Sequence, residues 1–489
     1  MSDREHQYFG VVDIGSNSVR LVLFDGVKRS PASFFNEKIL CGLGRGLAET
    51  GRLDSQGRKR AEASLSRFRL VFDEIGISRY NLVCFATSAV RDAEDGPDFI
   101  RKAENILGHP IEVWSGDEEA LFAAKGVLSG IPTLEGWVAD LGGGSLELAK
   151  ISDGGIKGTK SYPYGPLRID HLERDEIKKM LRKSFKAYAK GQDEGALCLV
   201  GGAWRTMAKV HMAERDYPMK VLHHYSLNPE EAREFADHFS RQDIEVLEEI
   251  DEISSRRVET IPYAALILRE LIDALNPHQV LISAHGVREG LIYDRLSKKE
   301  RRKDPLREGA KELARDHSLS YALGKDVYRF ARGFFEDHPV MEDRLLEAIC
   351  LMCNIAWRDH PNYRRGNILH TVLYAPLDGL THKERILIAL SLYYRYGGES
   401  SRSAKDVAGI VSEPLVSNAK MVGAFLRFAN ALVGQAPDIL GECTLIQTDK
   451  KIVLKTSKRL EDLMGEVVWS RLEALGLHLG KPAKMVVED

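Results

Sequence analysis

The sequence predicts an α/β chain of two duplicated lobes followed by a mostly helical C-terminal domain. Three observations predict it. An apolar strand, an Asp-x-Gly turn and a second apolar strand occur twice, over residues 9–23 and 138–148. Short apolar runs alternate with amphipathic stretches as far as residue 296, the pattern of strands interleaved with helices. Beyond it, residues 308–440 carry apolar side chains at helical spacing, as in Leu345, Leu346, Ile349, Met352, Ile355 and Ala356.

The two copies centre on Asp13-Ile14-Gly15-Ser16-Asn17-Ser18 and Asp140-Leu141-Gly142-Gly143-Gly144-Ser145. Each reads as a hairpin by its turn chemistry. Consecutive glycines let backbone N–H groups approach a ligand without Cβ interference, and a nest of amides suits phosphate. An Asp beside an anion site implies a cation between them, and Mg²⁺ fills that role. The repetition points to an internal duplication with one phosphate loop per lobe.

In chain order, the first hairpin spans residues 8–25. The glycine-rich run from Cys41 to Leu47 does not fit a dinucleotide fingerprint and reads as a loop. Ala61, Leu65, Phe68, Val71, Phe72 and Ile75 mark an amphipathic helix over 55–76. Residues 81–86 form a short strand, after which Ser88 can cap a helix carrying Arg91. Residues 111–114 are a further strand, and Ser115-Gly116-Asp117-Glu118-Glu119-Ala120 opens a helix through Gly126. Acidic residues there complement the helix dipole, which accounts for Asp117 and Glu118. Tyr162-Pro163-Tyr164-Gly165-Pro166-Leu167-Arg168 follows the second hairpin.

Residues 175–190 read as a basic amphipathic helix with Lys179, Arg182, Lys183, Lys186 and Lys190 at three- and four-residue steps. That face is either solvated or a track for a polyanion. The strand 197–200 leads into Gly201-Gly202-Ala203-Trp204-Arg205-Thr206, and the strand 280–283 into Ala284-His285-Gly286-Val287-Arg288-Glu289. The charged run 298–303 marks a domain boundary. A hairpin around residues 448–451 and a helix over 458–475 close the chain.

The bulk numbers bound the partners. A net charge of −3 gives no argument for a polyanion partner, so any basic site must be local. No apolar run reaches the length of a membrane helix, and the polar N-terminus lacks a signal-peptide core. The six cysteines lie mostly in apolar contexts, which fits buried thiols in a reducing cytoplasm. No nucleic-acid or membrane partner is expected.

Four motifs in series carry a resemblance. Residues 13–18, Ala86-Thr87-Ser88-Ala89-Val90-Arg91, residues 115–120 and residues 140–145 resemble, in order and spacing, the exopolyphosphatase / guanosine pentaphosphate phosphohydrolase family of the sugar kinase/Hsp70/actin superfamily. The resemblance is strong over 8–295 and weak beyond. It implies two ribonuclease-H-like, actin/hexokinase-like lobes at 1–125 and 126–297, a linker at 298–307, and a degenerate His-Asp phosphohydrolase-like domain at 308–489. Cys353-Asn354 stands where the His-Asp pair belongs, so that last domain reads as a scaffold.

The resemblance also implies roles. Glu119 is the carboxylate that activates water, and Arg91 holds substrate phosphate. Ser16, Asn17, Ser18, Gly142, Gly143, Gly144 and Ser145 clamp phosphate oxygens. Asp140, with Glu147 or Asp13, places Mg²⁺, and a monovalent cation such as K⁺ is a secondary expectation. The expected activity is release of orthophosphate from the end of inorganic polyphosphate by a cytoplasmic homodimer. Guanosine pentaphosphate as substrate, an ATP-dependent kinase, and a non-catalytic polyphosphate sensor are the alternatives.

Overall fold

The apolar run Phe9–Ile14 forms strand β1, and Ser18–Phe24 returns antiparallel to it as β2. Ser33–Leu40 adds β3 on the outer side of β2, while Leu82–Ala86 and Glu112–Val113 add β4 and β5 parallel to β1. The order is β3-β2-β1-β4-β5. The helices Ser55–Ile75 and Gly96–Leu107 bury Leu65, Phe68, Phe72 and Phe99 against this sheet. The computed structural model describes residues 8–188, 195–255, 257–316, 318–397, 401–434, 436 and 439–488. It divides into two units, Met1–Arg302 and Lys303–Asp489.

The first unit repeats its own plan. Gly136–Leu141 (β6) and Leu146–Ser152 (β7) are the second hairpin, and Gly155–Tyr162 (β8) lies outside β7. Ala196–Gly201 (β9) and Gln279–Ile282 (β11) continue the sheet in parallel, with Tyr225–Leu227 (β10) antiparallel at the edge. The order β8-β7-β6-β9-β11 matches β3-β2-β1-β4-β5 strand for strand, so the duplication read in two loops extends to both sheets.

The lobe boundary expected at 125/126 falls inside the helix Gly116–Gly130. The reason is packing: its Phe122 lies against Phe85 and Trp114 of the first lobe, while Ala124, Val127 and Leu128 join Val138 and Ala149 of the second. The helix therefore belongs to both cores. It crosses Val287–Arg295 at backbone contact, because a Cβ on Gly126 would lie 1.9 Å from the Gly286 carbonyl oxygen, and one on Gly290 1.9 Å from that of Phe122. The basic helix is shorter than expected, Arg174–Phe185, and Lys190 lies outside the described residues. The expected linker is ordered chain: Lys298–Arg301 is a helical turn, and Asp304 caps Pro305–Arg315 by accepting from the amides of Leu306 and Arg307.

The second unit is a bundle of helices, among them Ser318–Phe335, Asp343–Met352, Arg364–Tyr374, His382–Arg395 and Glu413–Val433. Phe330, Phe334 and Phe335 pack on Phe425. The buried Arg385 guanidinium donates to the carbonyls of Val372, Leu373, Ala375 and Leu377, which closes the end of the Arg364–Tyr374 helix. Asn354, fully buried beside Cys353, accepts from Arg395. Cys443–Gln447 (β12), Ile452–Ser457 (β13) and Ala483–Glu488 (β14) form a small sheet. The expected 458–475 helix starts later, at Glu466–Leu479, because a 3₁₀ turn Lys458–Leu463 and Gly465 precede it. No helix of the described residues is long and apolar enough to cross a membrane.

Gly126→Ala is expected to destabilise the first unit by about 2 kcal/mol through overpacking. Gly158→Ala, where a Cβ meets nothing, serves as the near-neutral control in thermal denaturation. Equal melting temperatures for the two variants contradict the contact.

Candidate active site

The two hairpin turns close with the same hydrogen bond: the amide of Gly15 to the carbonyl of Ser18 at 2.9 Å, and that of Gly142 to Ser145 at 3.0 Å. They meet across the cleft between the lobes. A Cβ on Gly144 would sit 2.8 Å from Ser88 Oγ and 3.0 Å from Ser16 Oγ, and one on Gly143 3.1 Å from Leu167. None of the three glycines needs a left-handed backbone; they are small so that one loop can lie against the other. Ser16 and Ser88 share a hydrogen bond between hydroxyls at 2.8 Å. The Cys41–Leu47 run buttresses the first turn, its amides at Cys41 and Gly42 donating to the Asn17 carbonyl and that at Gly44 to Ser16.

Glu119 stands at the start of the helix Gly116–Gly130. Ser115 and Glu118 form a capping box there, which holds the Glu118 carboxyl below its ordinary range and leaves Glu119 to face the cleft. Trp114, stacked on Phe85 at 4.0 Å and on Phe122 at 4.7 Å, fixes the turn before it. Arg91 Nη1 donates to Glu119 Oε1 at 2.8 Å and to the Trp114 carbonyl at 2.7 Å. Arg91 is thus held on Glu119 rather than standing free for phosphate. Burial pushes the Glu119 carboxyl up to about 8 against the pull of Arg91, with Asp140 and Asp13 adding to the rise.

Asp140 and Glu147 are direct partners in the β6–β7 register, so both carboxylates project from one face of the sheet. Burial raises Asp140 to about 6. Glu147, 3% exposed, is driven well above the carboxylate range by burial and by Glu119 and Asp140, although Ser161 Oγ donates to it at 3.0 Å. Two like charges placed opposite one another need a proton or a cation. Hard oxygen donors in such a pair fit Mg²⁺. Asp13, the third carboxylate expected there, is ion-paired with Arg288 Nη1 at 2.8 Å.

The basic helix, read as either a solvated face or a track, stands apart from the cleft cavity. Lys179, Arg182, Lys183 and Lys186 do not line the cleft cavity, and Arg182 is spent on the buried Glu270 at 2.8 and 3.2 Å. The cleft, about 570 Å³, carries its own cations: Arg20, Lys38, Arg205, Lys209, Arg257 and Arg288. Sequence reasoning missed them as a group. Arg20 pairs in register with Asp13 on one side and Lys38 on the other, a row across three strands that only the pairing discloses. Arg205 and Arg288 lie in the first turns of helices that follow two segments already singled out. Arg205 Nε donates to the Ser283 carbonyl at 2.8 Å, which aims the side chain along the cleft. Loss of water lowers Arg20 to about 10, with Arg288 beside it, and Lys38 to about 8, with Arg257 and Arg20 beside it. Trp204 is buried in the core with its indole N–H on the Ala264 carbonyl.

Comparison with known proteins bears on the family and the fold. The model of the Ppx/GppA phosphatase family matches residues 11–299, and that of the exopolyphosphatase C-terminal domain matches residues 310–486. Retrograde regulation protein 2 of Saccharomyces cerevisiae is 24% identical over 81% of this chain and 73% of its own length. A guanosine-5'-triphosphate,3'-diphosphate pyrophosphatase of Vibrio vulnificus is 27% identical over 61% of each chain. A bifunctional 3-dehydroquinate synthase/phosphatase of Fusobacterium nucleatum is matched at 26% identity over 46% of its length, so the chain spans less than two thirds of these two bacterial relatives. Among solved structures, an exopolyphosphatase from Cytophaga hutchinsonii superposes with a TM-score of 0.54 at 22% identity, covering 59% of this chain and 97% of that one. A Ppx/GppA family member from Aquifex aeolicus gives 0.51 at 22%, covering 59% and 97%. These likenesses establish the duplicated actin-like fold.

The raised carboxyl of Glu119 has a stability consequence. Its folded pKa lies above its unfolded one, so the folded state favours the protonated form, and stability falls as pH rises from about 4.5 through about 8. In chelator, the melting temperature of Glu119→Gln relative to wild type is expected to climb by a few degrees between pH 5 and pH 9. A flat difference contradicts the buried, raised carboxyl.

Proposed function

Because the chain belongs to the Ppx/GppA phosphatase family, we propose that it is an exopolyphosphatase that removes the terminal phosphate of inorganic polyphosphate as orthophosphate. The observation that carries this reading is the gathering of both signs of charge in one cleft. Asp13, Glu119 and Asp140 line it beside the two glycine turns, and six cationic side chains line it with them, Arg288 in contact with Asp13. A polyanion bearing a divalent cation complements both sets.

In this reading the terminal phosphoryl group sits between the 15–18 and 142–145 turns. Backbone amides there, with the side chains of Ser16, Asn17, Ser18 and Ser145, hold its oxygens. The following phosphates lie along Arg205, Lys209 and Arg257. Asp140 and Glu147 would hold Mg²⁺, which when bound offsets the charge on the phosphate oxygens. Glu119 accepts a proton from a water placed in line with the terminal phosphorus. The water oxygen bonds to phosphorus, the anhydride bond to the chain breaks, and the electron pair stays on the shortened chain's new terminal oxygen. Arg91, released from Glu119 as substrate charge arrives, is positioned to pair with the transferred group.

A second reading, hydrolysis of guanosine pentaphosphate, shares this terminal chemistry and is the activity named for the Vibrio relative. Polyphosphate is favoured because the aromatic side chain lining the cleft, Phe85, has its face stacked on Trp114, which leaves it a poor platform for a purine. A homodimer, a cytoplasmic location and a K⁺ requirement belong to the same reading.

Orthophosphate release should be measured with Mg²⁺ from long-chain polyphosphate and from guanosine pentaphosphate in parallel. Polyphosphate is expected to be the better substrate. Glu119→Gln is expected to lower its turnover by about 10²- to 10⁴-fold, the range for a lost general base. The wild-type rate should rise with pH toward about 8, as Glu119 loses its proton. Binding of polyphosphate without release from either substrate would leave a sensor and overturn the enzyme.

A further inference from the structure

The turn at residues 165–168, which follows β8, has no part in the steps above, yet its contacts converge on them. The amide of Leu167 donates to the Gly143 carbonyl at 2.9 Å. A Cβ on Gly165 would lie 2.4 Å from that carbonyl oxygen and from Gly144 N, so the turn packs backbone to backbone beneath the glycine loop. The next side chain leaves the second lobe: Arg168 Nη1 forms an ion pair with Asp92 Oδ2. Asp92 ends the short helix Ser88–Asp92 of the first lobe. That helix supplies Ser88, bonded to Ser16, and Arg91, bonded to Glu119. The other oxygen of Asp92 faces Arg91 Nε at 3.3 Å.

One turn therefore supports the second phosphate loop on one side and, through Asp92, the Arg91 helix on the other. The loop and the helix touch where Gly144 lies against Ser88. Beside that contact a cavity of about 130 Å³ opens, lined by Gly44, Leu47, Ser88, Gly144 and Leu167 with the Asp92–Arg168 pair at its edge. There side chains do not fill the space, and the ion pair is the link that spans it.

We propose that Arg168 is a positioning residue: through Asp92 it sets the separation between the 142–145 loop and the helix bearing Ser88 and Arg91, and with it the width of the terminal-phosphate cradle. This rests on reading the cleft as a phosphoanhydride hydrolase. Both partners are about one third exposed, 36% and 27%, so the pair adds little to global stability. Its effect lies in geometry, where a misplacement of one ångström costs up to about 100-fold in rate.

A double-mutant cycle on polyphosphate hydrolysis tests this, with Arg168→Ala, Asp92→Asn and the double variant, alongside amide hydrogen exchange of the same proteins without substrate. Arg168→Ala is expected to lower kcat/KM about tenfold, with the melting temperature nearly unchanged, and Arg168→Lys to recover part of the loss. In the Asp92→Asn background, Arg168→Ala is expected to change nothing further, because its action passes through Asp92. Exchange should quicken over both 88–92 and 142–145 in Arg168→Ala. Additive losses would make Arg168 a direct phosphate contact and overturn the proposal, as would unchanged exchange in either segment. If wild type releases no phosphate, the hydrolase reading fails, and the exchange result alone decides whether Arg168 acts as a strut.

Discussion

Asp140 and Glu147 face one another across the β6–β7 pair, with Glu119 close enough to raise Glu147 further. Neither can relieve the other's charge, and burial removes the water that would. The rest of the cleft follows from that constraint. The only guanidinium bonded to this group among the described residues is that of Arg91, held on Glu119. Arg288 is taken by Asp13. Arg205 and Arg288 pull Asp140 down against its burial, while Arg20, Lys38 and Arg257 line the same cleft with their own pKa values lowered.

The duplicated fold is what brings these groups together. In both lobes a two-stranded hairpin feeds a polar turn, and the parallel strands behind it bring further chain to the same end of the sheet. The turns approach until only glycine fits between them and the serine hydroxyls. The helix Gly116–Gly130, shared by both cores, carries Glu119 at its first turn, where the capping box fixes its neighbour and the stacked Trp114 fixes its origin. The charge pattern of the cleft thus depends on strand register as much as on motif.

That dependence explains what was legible in the sequence. The repeated Asp-x-Gly turns, the strand and helix alternation and the four motifs indicated the fold and placed Glu119, Arg91, Asp140, Glu147 and the glycine loops, all of which the structure gathers at the cleft or its edge. These are local patterns whose chemistry survives without knowing what pairs with what. The cationic wall was not legible, because Arg20 and Lys38 come into line with Asp13 only through pairing across three strands, and Arg257 arrives from a distant loop. The basic helix at 174–185 left two readings open for the same reason. Periodicity marks a charged face, but only the tertiary partner Glu270 tells that Arg182 is occupied. The lobe boundary falls within a helix because that helix serves two cores, which no compositional break announces.

The most direct test is a crystal structure of the Glu119→Gln protein with Mg²⁺ and a short polyphosphate. The account predicts the terminal phosphate between the 15–18 and 142–145 turns, the cation on Asp140 and Glu147, and the chain running along Arg205 and Arg257. A chain lying instead along Lys179, Lys183 and Lys186, with the cleft cations untouched, would contradict it.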